Sequence, residues 1–161
     1  MLRILVAITL CAVTSPTHAD WQYTRWGMTP AQVVVAAKGR FFACDPVKCR
    51  GQVSETSIAK LVGTYRAGNF SFRSFAMFDK RSNKLVQISL QLLQPEHGAE
   101  LVGAVRSKYG EPATKSLSSI MSLWVWRDKK DQISIVEIGS GPSANVSLSY
   151  QPRLSDENNG L

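Results

Sequence analysis

From Ser57 to Leu93 apolar residues recur at every second position, the period of half-buried β-strands. The first run is SIAKLVGTYR, and Ala67-Gly68-Asn69 after it suits a tight hairpin. The second run puts Phe70, Phe72, Ala76 and Phe78 on one face. After the polar stretch Asp79 to Asn83, the third run puts Val86, Ile88, Leu90 and Leu92 on one face and Gln87, Ser89 and Gln91 on the other. Three such runs in succession predict an antiparallel meander with one apolar and one polar side.

Ahead of this meander the period is helical. Thr29 can cap, Pro30 fits the first helical position, Gln32 completes a capping box, Met28 can staple onto Val33, and Gly39 stops the helix. The same order then returns. QPEHGAELVGAVRSKYG predicts a second helix with Pro95 in its first turn, Leu101, Val102, Val105 and Tyr109 on one stripe, and Gly110 as its stop. SLWVWR, QISIVEIG and VSLSYQ follow as strands, with DKKD and GPSAN as turns. The expected fold class is therefore α+β: two tandem helix-plus-three-strand units, residues 29–93 and 94–150, forming one largely antiparallel six-stranded sheet with both helices on one face. The other face, carrying Lys60, Arg66, Arg73, Gln87 and Gln91, is expected to be open to water or to a partner. Residues 151–161, which include the polar SDENNGL, are expected to form a flexible tail on a single domain spanning 20–150.

The first nineteen residues belong to neither half. One charge at Arg3, an apolar run from Ile4 to Val13 and a close in Thr17-His18-Ala19 make the pattern of a cleavable signal peptide. Ten apolar residues span only about 15 Å as a helix, about half of a bilayer core, so a transmembrane anchor is not expected. Cys11 follows Leu10 rather than the small residue a lipoprotein signal needs. The expected location is periplasmic or secreted, in a bacterium, after cleavage near Ala19.

Charge and cysteine content are read after that cleavage. The whole chain carries 19 Lys and Arg against 12 Asp and Glu, a net +7, and loss of Arg3 leaves +6. The basic residues are dispersed, which favours a solvated surface; if the charge has a partner, another envelope protein or an anionic surface is expected, and not nucleic acid. The candidate interaction surface is Arg40, Lys48, Arg50, Lys60, Arg66 and Arg73. Two cysteines remain, Cys44 and Cys49 in FACDPVKCRG, with Asp45-Pro46 able to turn the chain between them. In an oxidising compartment this spacing predicts a disulfide closing a small loop, and it lacks the C-x-x-C pattern of redox catalysts.

Trp26-Gly27-Met28-Thr29 before the first helix and Lys108-Tyr109-Gly110-Glu111-Pro112 after the second resemble the WGMS/T and KYGxP motifs of a group of small exported bacterial proteins. Tandem helix-plus-strand units are also similar to the β-lactamase inhibitor protein fold, and more distantly to the small lipoprotein of the outer-membrane barrel assembly machine. The resemblance implies a fold, and through the inhibitor proteins a concave sheet face that binds another protein.

No catalytic constellation emerges. His97, the histidine left after cleavage, lies beside Glu96 and Glu100 at surface positions of the second helix. Glu137 interrupts an apolar run and has an ambiguous face. Trp21, Tyr23 and Trp26 offer a ligand-stacking cluster, but aromatics beside a first helix more often plug a core edge, which is the expectation here. No metal and no cofactor are called for. The expected function is a non-catalytic exported binding or protein-interaction module, with an enzyme of unrecognised site and an envelope-maintenance protein as the alternatives.

Overall fold

The computed structural model describes residues 21–45, 47 and 49–153. The expected signal peptide, Lys48 and most of the expected tail lie outside these residues. Helix α1 spans Pro30–Ala37 and α2 spans Gly98–Tyr109; the strands are β1 Phe41–Ala43, β2 Ser57–Ala67, β3 Phe70–Asp79, β4 Leu85–Leu92, β5 Thr114–Leu117, β6 Met121–Arg127, β7 Asp131–Ile138 and β8 Asn145–Pro152. The strands form one antiparallel sheet in the order β1-β2-β3-β4-β8-β7-β6-β5. The sheet thus has eight strands where the alternation predicted six. The two unforeseen strands, FFA and TKSL, are edge strands too short to display a period. The ordered domain also reaches beyond 150, because Gln151 and Pro152 belong to β8.

The local signals for α1 operate as read from the sequence. The Thr29 N–H donates to Gln32 Oε1 at 2.8 Å and the Gln32 N–H donates to Thr29 Oγ1 at 3.4 Å, closing the capping box. The helix ends at Ala37, two residues before Gly39, because Lys38 already takes the left-handed conformation at φ 49°. Ahead of α1 the chain is tied to β4, since the Gly27 N–H donates to the Leu85 carbonyl and the Leu85 N–H to that of Met28. Behind α2, Trp126 Nε1 donates to the Gly110 carbonyl at 2.9 Å and fastens the helix end to β6.

Both helices pack on the same face of the sheet. Val33 and Ala37 of α1 and Leu101 and Val105 of α2 share one core with Phe72, Ala76, Phe78, Ile88, Leu90, Trp126, Ile133, Ile135 and Leu148. Val86 is not in that row. The register slips between Met77 and Phe78, so Leu85 lies opposite Phe78 and takes the buried place.

The opposite face is not uniformly wet, contrary to expectation. Phe75 and Met77 point there and are nevertheless buried, in a second cluster with Ala59, Val62, Cys44 and Cys49. Cys44 and Cys49 are joined by a disulfide with their Cα atoms 5.8 Å apart. The chain on either side of the disulfide is anchored to β2 by the Cys44 N–H to the Lys60 carbonyl and by the Ala59 N–H to the Gln52 carbonyl, both at 2.9 Å, so that Cys44 and Cys49 roof part of the sheet. Replacing both cysteines by serine should lower stability by about 2 kcal/mol, the chain-entropy value for so short a ring. Urea midpoints with and without reductant test this: reduced wild type and the double variant should coincide, and an unchanged midpoint would remove the disulfide from the stability of this roof.

Candidate functional site

Beyond the disulfide roof, the helix-free face is built from strand pairing row by row. In one row Arg73 on β3 is opposite Thr64 on β2 and Gln91 on β4, and the row continues through Ser147, Val136 and Leu123 to Ser116 on β5. The next row runs Phe75, Ser89, Ser149, Ser134 and Val125. Paired residues share a face, so these rows form a continuous surface. Its composition is graded. Arginines stand at the β2–β3 side, short hydroxyls fill the middle, and Leu123, Val125 and Val136 make the β6–β7 side apolar, with Met121 and Ile138 exposed at its margin. Gln87 Nε2 donates to Ser149 Oγ at 3.1 Å, which ties β4 to β8 at the centre of this surface.

The predicted basic residues separate into distinct places. Arg66 and Arg73 are both exposed on this face, two positions apart across the β2–β3 pair, since Arg66 is opposite Ser71. Arg66 also lines an open groove of ≈ 790 Å³ with Arg40, Tyr23 and Tyr65. There the Arg40 guanidinium lies 5.5 Å from the centre of the Tyr23 ring. Burial raises the Tyr23 phenol above its ordinary range, and Arg40 partly offsets this. Arg50 and Lys60 line a separate depression beside the disulfide. Lys60 projects at a register slip in β2 and donates to Asn83 Oδ1 at 2.8 Å. Of the five candidates among the described residues, Arg66 and Arg73 share the open sheet, Arg40 lines the groove with Arg66, and Arg50 and Lys60 line the depression beside the disulfide.

The two residues weighed for catalysis, His97 and Glu137, both stand on the helix side of the sheet. His97 Nδ1 lies 3.6 Å from Glu100 Oε2 at the start of α2. Glu137 is half-buried on β7 between Ser122 and Val146, on the helix-covered face, and Val146 packs against Gly98 beside His97. Among the described residues no three His, Cys, Asp or Glu side chains gather as a metal site, and no helix is long and apolar enough to cross a membrane.

On the helix side, Trp21 is buried in the main core with Tyr23 and Trp26 packed against it, as a core plug would be. Trp21 contacts Tyr65 edge to face, with centroids 5.1 Å apart. Trp26 does more than plug: its Nε1 donates to Asp131 Oδ1 at 2.9 Å, across 105 residues of sequence. Tyr65, Asp131 and Tyr150 carry no motif in the sequence; Asp131 and Tyr150 lie on the neighbouring strands β7 and β8, and Tyr65 on β2, separated from β8 by β3 and β4. Compared with protein-family models, with curated proteins and with solved structures, this chain matches none.

Proposed function

We propose that this protein is an exported, non-catalytic interaction module that receives an acidic partner protein on the helix-free face of its sheet. The observation that carries this reading is the graded composition of that face: Arg66 and Arg73, then a floor of Ser89, Ser134, Ser147 and Ser149, then Leu123, Val125 and Val136. Non-obligate protein interfaces combine apolar, uncharged polar and arginine contacts in this way. The short floor residues let a partner approach the backbone, while the arginines at one end supply orientation and steering. An oxidising location is supported by the leader-like first nineteen residues and by the disulfide that roofs the neighbouring surface.

The resemblance to exported proteins with WGMS/T and KYGxP motifs, and to the inhibitor proteins that bind through a concave sheet, points the same way. So does the strand order, in which each helix precedes four consecutive strands and the two halves join through β4 and β8. We read these halves as two versions of one structural unit.

Capture from bacterial envelope extract, comparing wild type with Arg66→Glu/Arg73→Glu, tests the proposal. A partner retained by wild type in low salt should be lost with the double reversal, at least tenfold, while the thermal midpoint stays within a few degrees because both positions are exposed. Equal retention by the two proteins, or no retention at any salt concentration, would sink this reading.

A further inference from the structure

A second surface, on the helix side, has the chemistry of a small-molecule site. Two adjoining cavities of ≈ 160 Å³ and ≈ 290 Å³ share Tyr65, Lys108, Tyr109 and Tyr150 as their common wall. The smaller is rimmed by Trp26, Asp128 and Asp131. The larger is apolar, lined by Phe72, Leu90, Leu101, Val105 and Leu148 between α2 and the strands.

The polar end is built for positive charge. The Trp26 indole holds the Asp131 carboxylate in place by the 2.9 Å hydrogen bond, so an acidic group stands fixed beside tyrosine and tryptophan rings. Ring faces and carboxylates both attract a cation, and the attraction grows where water is partly excluded. Tyr150 is hydrogen-bonded to Tyr109, and burial raises its phenol far above the ordinary range, so it remains neutral and adds no competing anion. One ammonium is already drawn here: Lys108 Nζ lies 4.9 Å from the centre of the Tyr109 ring, at the junction of the two cavities.

We propose that this cleft binds an organic ammonium compound with a hydrocarbon tail. The ammonium lies against Asp131 and the aromatic rings, where it takes the place of the tethered Lys108 ammonium, and the tail enters the apolar cavity beneath α2. An anionic ligand of the same shape meets Asp128 and Asp131 and is rejected. A neutral one gains only the burial of its tail.

The test uses three probes with one skeleton: 3-phenylpropylammonium, 3-phenylpropanol and 3-phenylpropionate, titrated against the purified protein and followed by the Trp26 indole N–H resonance. The ammonium should bind about tenfold more tightly than the alcohol, as a partly desolvated cation–π and carboxylate contact implies, and the propionate most weakly. Asp131→Asn retains an oxygen to accept from Trp26 and should bring the ammonium down to the level of the alcohol. Lys108→Gln, at an exposed position, should strengthen ammonium binding several-fold and leave the alcohol unchanged. Ala104→Phe, exposed on α2 and lining the apolar cavity, should weaken ammonium and alcohol alike by about tenfold. If Asp131→Asn fails to fold, Lys108→Gln and Ala104→Phe still decide the matter. Equal affinity for ammonium and alcohol, or no saturable shift with any probe, overturns the proposal. Neither outcome bears on the opposite sheet face.

Discussion

Trp126→Ala is expected to cost about 3–5 kcal/mol, the range for removing a large aromatic side chain from a packed core. Trp126 is 2% exposed, sits opposite Ile133 on β7, and belongs to the core beneath both helices. Its loss leaves a cavity and also strips the Gly110 carbonyl of the indole N–H that donates to it. A domain of this size is held by only about 5–15 kcal/mol, so the variant should sit near the edge of folding. Trp126→Phe separates the two contributions. It keeps most of the apolar volume and gives up the hydrogen bond, and should cost about 1–2 kcal/mol. Chemical denaturation followed by far-ultraviolet circular dichroism measures both. If the alanine and phenylalanine variants lost the same stability, the core placement of this ring would be wrong.

The second large effect comes from a single methyl group. Gly63 lies in β2 between Phe41 of β1 and Ser74 of β3, and a Cβ added there would collide with the backbone carbonyl of Arg40 and press on Ser74 Oγ. Backbone cannot swing aside as a flexible side chain can, so β1 must lift off the sheet and draw Phe41, 1% exposed, out of the core. Gly63→Ala should therefore destabilise by about 2–3 kcal/mol. Amide exchange should quicken at Cys44, whose N–H donates to the Lys60 carbonyl beside β1. Gly103→Ala is the counterpart: it lies on α2 with nothing near its added Cβ, and the same substitution should stabilise by about 0.5–1 kcal/mol. Effects of like sign at the two positions would show that backbone entropy, and not the collision, governs Gly63.

Much of this architecture was legible because its signals are local. The capping box at Thr29 and Gln32 involves atoms three residues apart, and the alternation of Phe70, Phe72, Ala76 and Phe78 needs only the strand's own pleat. The buried second cluster was harder to foresee. Phe75 to Phe78 is an unbroken apolar run, the pattern of a strand covered on both faces, and that signal lay beneath the stronger two-residue period. What covers Phe75 and Met77 is a loop from elsewhere in the chain, held over them by Cys44 and Cys49.

By itself the sequence determined the α+β class, the two helices and the capping box of the first, six of the eight strands and the closure of the cysteine loop, because each follows from a period or a spacing within about fifteen residues. The tertiary structure alone decided which basic residues share a surface, with Arg66 and Arg73 brought together by pairing and Lys60 set beside the disulfide at a register slip. It alone joined Trp26 to Asp131 and set Tyr65, Tyr109 and Tyr150 around one cleft. Those contacts depend on which strands become neighbours and in what register, and a shift of one residue would send each side chain to the opposite face.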